Sequence, residues 1–290
     1  MKKYLKLGLK VGISLGLIIY LVSVQDINQI KEGILNFNFW SLIFALILLN
    51  IGTYVSALRW KTILATSGKE VDEKYLYVLY LKGYFYNNFL PTQMGGDVYK
   101  AVSLGNRIKD QPLALFSVFM DRFGGLIILL TLSLFGIGSL YGAAGLGISI
   151  LLFITGLALY FPVLNLFGKK VKFLKKFKDA SDLFLKDKQR GVMVLVYSLL
   201  IQLLSFSLVY VLFMGAGVKL PLWSVFAFMP ITSLSLLIPS FNGFGTQDTV
   251  YAFLFKFAGV TEALSITVSL MNHVVRLVMS LVGGVLILIL

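Results

Sequence analysis

The sequence predicts an all-α polytopic membrane protein with six full transmembrane helices plus two broken re-entrant helical hairpins arranged as inverted repeats. Three observations carry that prediction. Of the 290 residues, 58% are hydrophobic and only 13% charged, about half the usual charged share. Six apolar stretches reach the roughly 20 residues that a bilayer core demands of a helix. Two further apolar stretches are interrupted by proline and glycine, and the two interruptions lie 148 residues apart, Pro91 to Pro239.

From the N-terminus, Leu7–Val24 follows Lys2, Lys3, Lys6 and Lys10. A signal peptide begins the same way, but no small-x-small cleavage site follows the apolar run, so a retained first helix is expected. Phe39–Leu58 is the second span. Tyr75–Met94 is the first interrupted stretch, running through Phe89-Leu90-Pro91-Thr92-Gln93-Met94 into Gly95-Gly96-Asp97. Proline removes a backbone donor and glycine weakens a helix, so the chain is expected to unwind there. Leu113–Leu140 and Leu146–Phe167 are the third and fourth spans. Basic residues then alternate with Val171, Phe173, Leu174, Phe177, Leu183 and Phe184, which predicts an amphipathic segment on an anionic inner leaflet. Val192–Met214 is the fifth span. Leu222–Ile238 breaks at Pro239-Ser240-Phe241-Asn242-Gly243-Phe244-Gly245-Thr246-Gln247-Asp248 and resumes to Val260, and Ala263–Leu290 is the sixth span. The chain reads as one integral membrane domain over 1–290, with halves at about 1–140 and 146–290 and the basic segment at 168–190.

Charge orients this layout. With the N-terminus in the cytoplasm and each broken stretch returning to its own side, 21 of the 26 basic residues fall on the cytoplasmic face, Arg59 and Lys100 among them. Lys31, Lys219 and Lys256 fall outside, while Arg122 and Arg276 lie within spans. The positive-inside rule therefore predicts a multi-pass protein of the cytoplasmic (inner) membrane with both termini cytoplasmic. The net charge of +13 belongs to no polar domain able to track a phosphate backbone, so no nucleic-acid partner is expected. Cysteine is absent and His273 is the single histidine, which removes the usual zinc, iron–sulfur and Cys/His nucleophile sets. No cofactor, metal site or catalytic residue is expected.

In this layout the two breaks face opposite sides, and each is followed by an acid and then a helix carrying one arginine: Asp97 and Arg122, Asp248 and Arg276. Paired broken helices of opposite sense are the sequence pointer to a transporter with its site near the midplane. Gly95-Gly96-Asp97 is expected to open a half-helix over Val98–Leu104, whose free N–H groups and dipole suit an anion such as phosphate. Asp97 either caps that helix or stands beside a ligand. Lys100 is either a mobile cation or a topology determinant. A charge at bilayer depth costs about 2.5–3.5 kcal/mol, so Arg122 and Arg276 are either paired or ligand-binding. In the paired reading Asp121 reaches a cation of the other repeat and Arg276 reaches Asp248, and one arginine can both pair and bind a ligand through its five-donor fork. His273, one turn before Arg276, reads as a buried, hydrogen-bonded side chain in preference to a proton relay. Tyr75, Tyr77, Tyr80, Tyr84 and Tyr86 argue only for interface depth.

At these breaks the chain resembles the flippase-like transmembrane domain of lysylphosphatidylglycerol synthases, which also occurs as stand-alone membrane proteins. The marks are Leu58-Arg59-Trp60, Tyr86-Asn87-Asn88-Phe89-Leu90-Pro91-Thr92 with Gly95-Gly96-Asp97, Asp121-Arg122, Pro239-Ser240 with Gly243, Gly245 and Asp248, and Arg276. The family usually has arginine at Lys100, glutamate at Asp121 and Asp248, and Gly-Gly at Asn242-Gly243, so charge sign is kept where identity is not. The resemblance implies two inverted halves that move a phospholipid or polyprenyl-phosphate-linked lipid headgroup between leaflets. Asn88, Gly95, Gly96, Asp97, Lys100, Arg122, Asn242, Gly243, Asp248 and Arg276 are its substrate-binding candidates. In longer members aminoacyl transfer belongs to further helices and a soluble C-terminal domain outside these 290 residues, so transport is expected here in preference to enzymology. The alternatives are a membrane-embedded transferase in lipid modification and a non-catalytic partner of such an enzyme. No P-loop is present, so ATP is not an expected driver.

Overall fold

The computed structural model describes residues 27–89, 95–139, 141–167, 182, 186–235, 240 and 243–289. The expected first span, Pro91, Pro239, Asn242 and nearly all of the basic segment lie outside the described residues, as does the Asn88 side chain. The fold is all-helical, with ten α-helices among the described residues: α1 (Ile27–Leu35), α2 (Phe39–Thr66), α3 (Glu73–Phe89), α4 (Gly95–Ile108), α5 (Gln111–Ser139), α6 (Gly142–Phe167), α7 (Lys188–Gly215), α8 (Leu222–Ser235), α9 (Thr246–Phe255) and α10 (Glu262–Ile289).

Four of these, α2, α5, α7 and α10, are long and apolar enough to cross a membrane. At 28 or 29 residues each they are about 42 Å long, more than a roughly 30 Å hydrocarbon core requires. Their faces are reversed relative to a soluble helix. On α10 the buried face carries Ser265, Thr267, Ser269, Asn272, His273 and Ser280, while Leu277, Leu281, Val285 and Leu288 are more than half exposed. A helix that turns hydroxyls inward and leucine outward has hydrocarbon as its outer solvent.

The helix ends follow local chemistry. Asn38 caps α2, its side chain accepting from the Trp40 amide at 2.9 Å. Asp187 does the same for α7 from the Arg190 amide at 3.1 Å. α2 continues past Leu58, where apolarity ends, because Arg59 finds buried partners. α4 opens at Gly95 and extends to Ile108, so the expected half-helix Val98–Leu104 is only its centre.

α2 and α7 lie antiparallel along their whole length. The Asn38 amide donates to the Gly215 carbonyl at 2.9 Å, Gly52 faces Leu204, and Arg59 Nη1 donates to Ser198 Oγ at 3.0 Å. The other pairings repeat across this central contact. α3 doubles back on α4 and α8 on α9, α4 packs on α5 as α9 packs on α10, and α3 packs on α10 as α8 packs on α5. A Cβ at Gly136 would overlap the Phe226 carbonyl, and one at Gly283 would overlap the Leu81 carbonyl. Each hairpin therefore crosses the long helix of the opposite half at a glycine, which lets two helix backbones touch. The two largest apolar clusters divide in the same way, one centred on Phe213, Phe228, Tyr251 and Phe255 and the other on Trp60, Leu64, Leu76 and Leu104.

Candidate functional site

Each hairpin delivers the first turn of its second helix to a charged cluster. On α4, Asp97 receives Arg122 of α5 in a two-pronged contact, Nε to Oδ2 at 2.7 Å and Nη2 to Oδ1 at 3.1 Å. Lys100 Nζ lies 2.9 Å from Asp97 Oδ1 and 4.0 Å from Asp121 Oδ2. Asp121 in turn accepts from Arg59 Nε at 2.9 Å and from the Tyr80 hydroxyl. Lys100 also sits over the Tyr80 ring at 3.9 Å and the Trp60 ring at 5.3 Å, so aromatic faces share the cost of burying an ammonium. Three cations face two carboxylates. Arg59, Lys100 and Asp121 are buried, but the Arg122 side chain is 61% exposed and presents the rest of its donor fork outward.

Several expectations are corrected here. Asp97 is held by Arg122 and Lys100, and among the described residues the Gly96 amide at the start of α4 donates to Asn87 Oδ1 at 2.7 Å. Gly96 is glycine because the α3 backbone passes at Gly83, where a Cβ would overlap the carbonyl. Asp121 pairs with Arg59 of its own half, not with a cation of the other repeat. Arg59 and Lys100, counted among the charges that orient the chain, are buried within the protein.

The second cluster hangs on α9. Gly243 and Gly245, at φ +87° and +80°, take the left-handed turn that ordinary residues resist and that brings the chain into the helix. Asp248 Oδ2 accepts the Gly245 amide at 2.9 Å, so here the acid does hold its helix N-terminus. Its Oδ1 accepts from Ser269 Oγ at 2.5 Å and lies 3.1 Å from His273 Nε2, both on α10. Arg276 does not reach Asp248, contrary to the paired reading. Its Nη1 donates to Gln247 Oε1 at 3.0 Å, because the Gly245 amide, Ser269 and His273 already occupy the carboxylate. Among the described residues Arg276 has no carboxylate within ion-pair distance: its bonded partner is a neutral amide, and Asp248 acts on it only through space.

α3 joins the two clusters. Tyr80 binds Asp121, and Tyr84, one turn on, lies within electrostatic reach of Arg276 and 3.3 Å from Thr53 Oγ1. Tyr77 accepts from Asn50 at 2.8 Å, and Tyr86 stacks on Tyr99 at 4.2 Å. The tyrosines of α3 thus line contacts between helices, beyond the interface depth expected of them. The Tyr80–Tyr84 spacing of one turn was the available signal. A groove of about 410 Å³ lined by Lys61, Lys69, Glu70 and Glu73 lies at the α2–α3 loop, away from both clusters.

Comparison with known proteins follows this geometry. A UPF0104 membrane protein of Methanocaldococcus jannaschii is 24% identical, over 94% of this chain and 91% of its own length. No solved structure matches. The profile of the family described as lysylphosphatidylglycerol synthase TM region matches residues 8–284, spanning both hairpins and both clusters. The chain is a membrane protein that belongs to the lysylphosphatidylglycerol synthase TM region family.

Proposed function

We propose that the protein moves an anionic lipid headgroup, of a phospholipid or a lipid-linked phosphate, between the leaflets of the cytoplasmic membrane. In this reading six helices span the bilayer, both termini are cytoplasmic, and the two hairpins are re-entrant from opposite faces. They enclose a cationic region near the midplane, and the acyl chains stay in lipid. The observation that carries the proposal is the state of Arg276: an intramembrane guanidinium without a carboxylate partner among the described residues. The Arg122 side chain, 61% exposed, offers a second guanidinium with donors to spare.

An isolated cation at that depth is costly, and a phosphate oxygen answers it with charge-assisted, two-pronged bonds. The headgroup exchanges water for those donors and so avoids passing bare through hydrocarbon. Arg122, neutralised by Asp97, serves as the second and weaker contact, with Lys100 behind it. Gly95 contributes its helix-terminal backbone, and Asn88, Asn242 and Gly243 border the breaks.

The test is transbilayer movement in liposomes containing only the purified protein, read by dithionite quenching of headgroup-labelled phosphatidylglycerol. A charge-assisted bond of about 1.5–3 kcal/mol predicts that Arg276→Gln slows movement about 10- to 100-fold, with Arg122→Gln less affected. Unchanged rates in both variants at equal reconstitution would overturn the site. A chemically altered lipid appearing in the same vesicles would point to the transferase alternative.

A further inference from the structure

Buried on α10, one turn from Arg276, His273 is 5% exposed and its Nδ1 has no hydrogen-bond partner among the described residues. The tautomer follows from its neighbours. Asp248 is an acceptor that already takes the Ser269 hydroxyl and the Gly245 amide, so Nε2 must carry hydrogen to approach it at 3.1 Å. In the neutral ring that leaves Nδ1 as a bare lone pair, an arrangement buried polar atoms normally avoid. The ring is otherwise fully engaged. Phe244, from the turn before α9, stacks on it at 3.9 Å and 15°, and an aromatic face favours a cation above it.

We propose that His273 is a proton-binding site whose occupancy is linked to the anionic headgroup at Arg276; the linkage rests on the function proposed above, and the proton site itself does not. A proton from water adds to the Nδ1 lone pair, no bond in the protein breaks, and the Nε2–H bond to Asp248 is kept. With the ring neutral, Asp248 and Arg276 cancel and the second cluster carries no net charge. With the ring protonated it carries +1, matching the surplus of the first cluster. The neighbouring ionisable groups are Asp248 and Tyr251 of α9, Tyr84 of α3 and Arg276 of α10 itself. α1 adds Lys31 and Glu32, both exposed. The cations of α2 are held elsewhere, Arg59 by Asp121 and Lys61 by Glu73, while Arg190 of α7 is held by Asp187. Each ligand therefore raises affinity for the other, because such coupling is reciprocal.

Two measurements separate the proton site from the transport reading. The chain has one histidine, so ¹⁵N-histidine labelling of the tag-free protein in nanodiscs gives one imidazole to follow. On acidification the signals are expected to pass from the Nε2–H tautomer to the doubly protonated ring. An imidazole that keeps one form throughout, or starts as the Nδ1–H tautomer, overturns the site whether or not lipid moves. The second measurement is movement of headgroup-labelled phosphatidylglycerol, at low probe density, in vesicles at pH 6 and pH 8. A unit charge about 6 Å from an anion predicts at least about threefold faster movement at pH 6, even with water-like screening. In His273→Gln that ratio falls to about 1, whatever the absolute rate. A pH ratio unchanged by His273→Gln overturns the linkage. Titration of the ring with no lipid movement at any pH overturns the transport reading and leaves the proton site standing.

Discussion

Asp121 is shared by Arg59, Tyr80 and Lys100, and removing its charge while keeping its shape tests whether the first cluster is held by electrostatics. Asparagine at this position still offers Oδ1 to Arg59 Nε, but its Nδ2 is a donor where Oδ2 accepted, so the Tyr80 hydroxyl must turn to accept from it and Lys100 loses an acceptor. What is lost is one negative charge beside three cations, with side-chain exposures of only 7% at Arg59 and 3% at Lys100. Breaking a buried ion pair from one side costs about 3–5 kcal/mol. At about 2–4 °C per kcal/mol for a large domain, that is a fall in Tm of roughly 6–20 °C. Thermal unfolding in mild detergent reads it. The pair Arg59→Met with Asp121→Leu removes both charges and is expected to be more stable than Asp121→Leu alone, since an apolar pair replaces an orphaned guanidinium. A Tm within about 2 °C of wild type for Asp121→Asn, or a double variant that simply adds the two single losses, would refute the electrostatic account.

Other outcomes follow from the same geometry. Gly136→Ala and Gly283→Ala each push a methyl into a backbone carbonyl of the opposite hairpin, and each is expected to destabilise by about 1–3 kcal/mol, as overpacking does; Gly147→Ala, with nothing near its added Cβ, is the neutral control in the same unfolding assay. The antiparallel seat of α2 on α7 places a Cβ at Gly52 3.9 Å from that of Leu204, within disulfide range. Since the chain lacks cysteine, Gly52→Cys with Leu204→Cys is expected to cross-link under mild oxidation. Gly52→Cys with Val196→Cys, two turns away on α7, is expected not to, and a gel after proteolysis in the α5–α7 region distinguishes them.

Much of the fold was legible because hydrocarbon imposes a simple rule: apolar runs of sufficient length become helices, and Pro–Gly interruptions end them. The long helices begin and end close to where apolarity does, except α2, which carries Arg59 inside because a partner 62 residues on pays back the burial; α1 and the polar α4 lie outside the apolar runs. The matched breaks also announced two helical hairpins, α3 with α4 and α8 with α9, each packed on a long helix. Partner choice was not legible. Asp97, Asp121 and Asp248 are visible as the few acids near membrane depth, but which cation each takes depends on helix rotation and crossing, which a single sequence does not encode locally. Arg122 reaches Asp97 across a hairpin and not its neighbour Asp121, because adjacent residues on a helix point about 100° apart. Asn87, accepting the Gly96 amide at the start of α4, is the same effect: the acceptor came from the helix packed alongside.

The exchange of hairpins between halves has an implication for how such a chain could arise. The contacts among α2, α3, α4 and α5 recur among α7, α8, α9 and α10, so a half-length chain able to insert in both orientations could bury the same glycine crossings against its own copy.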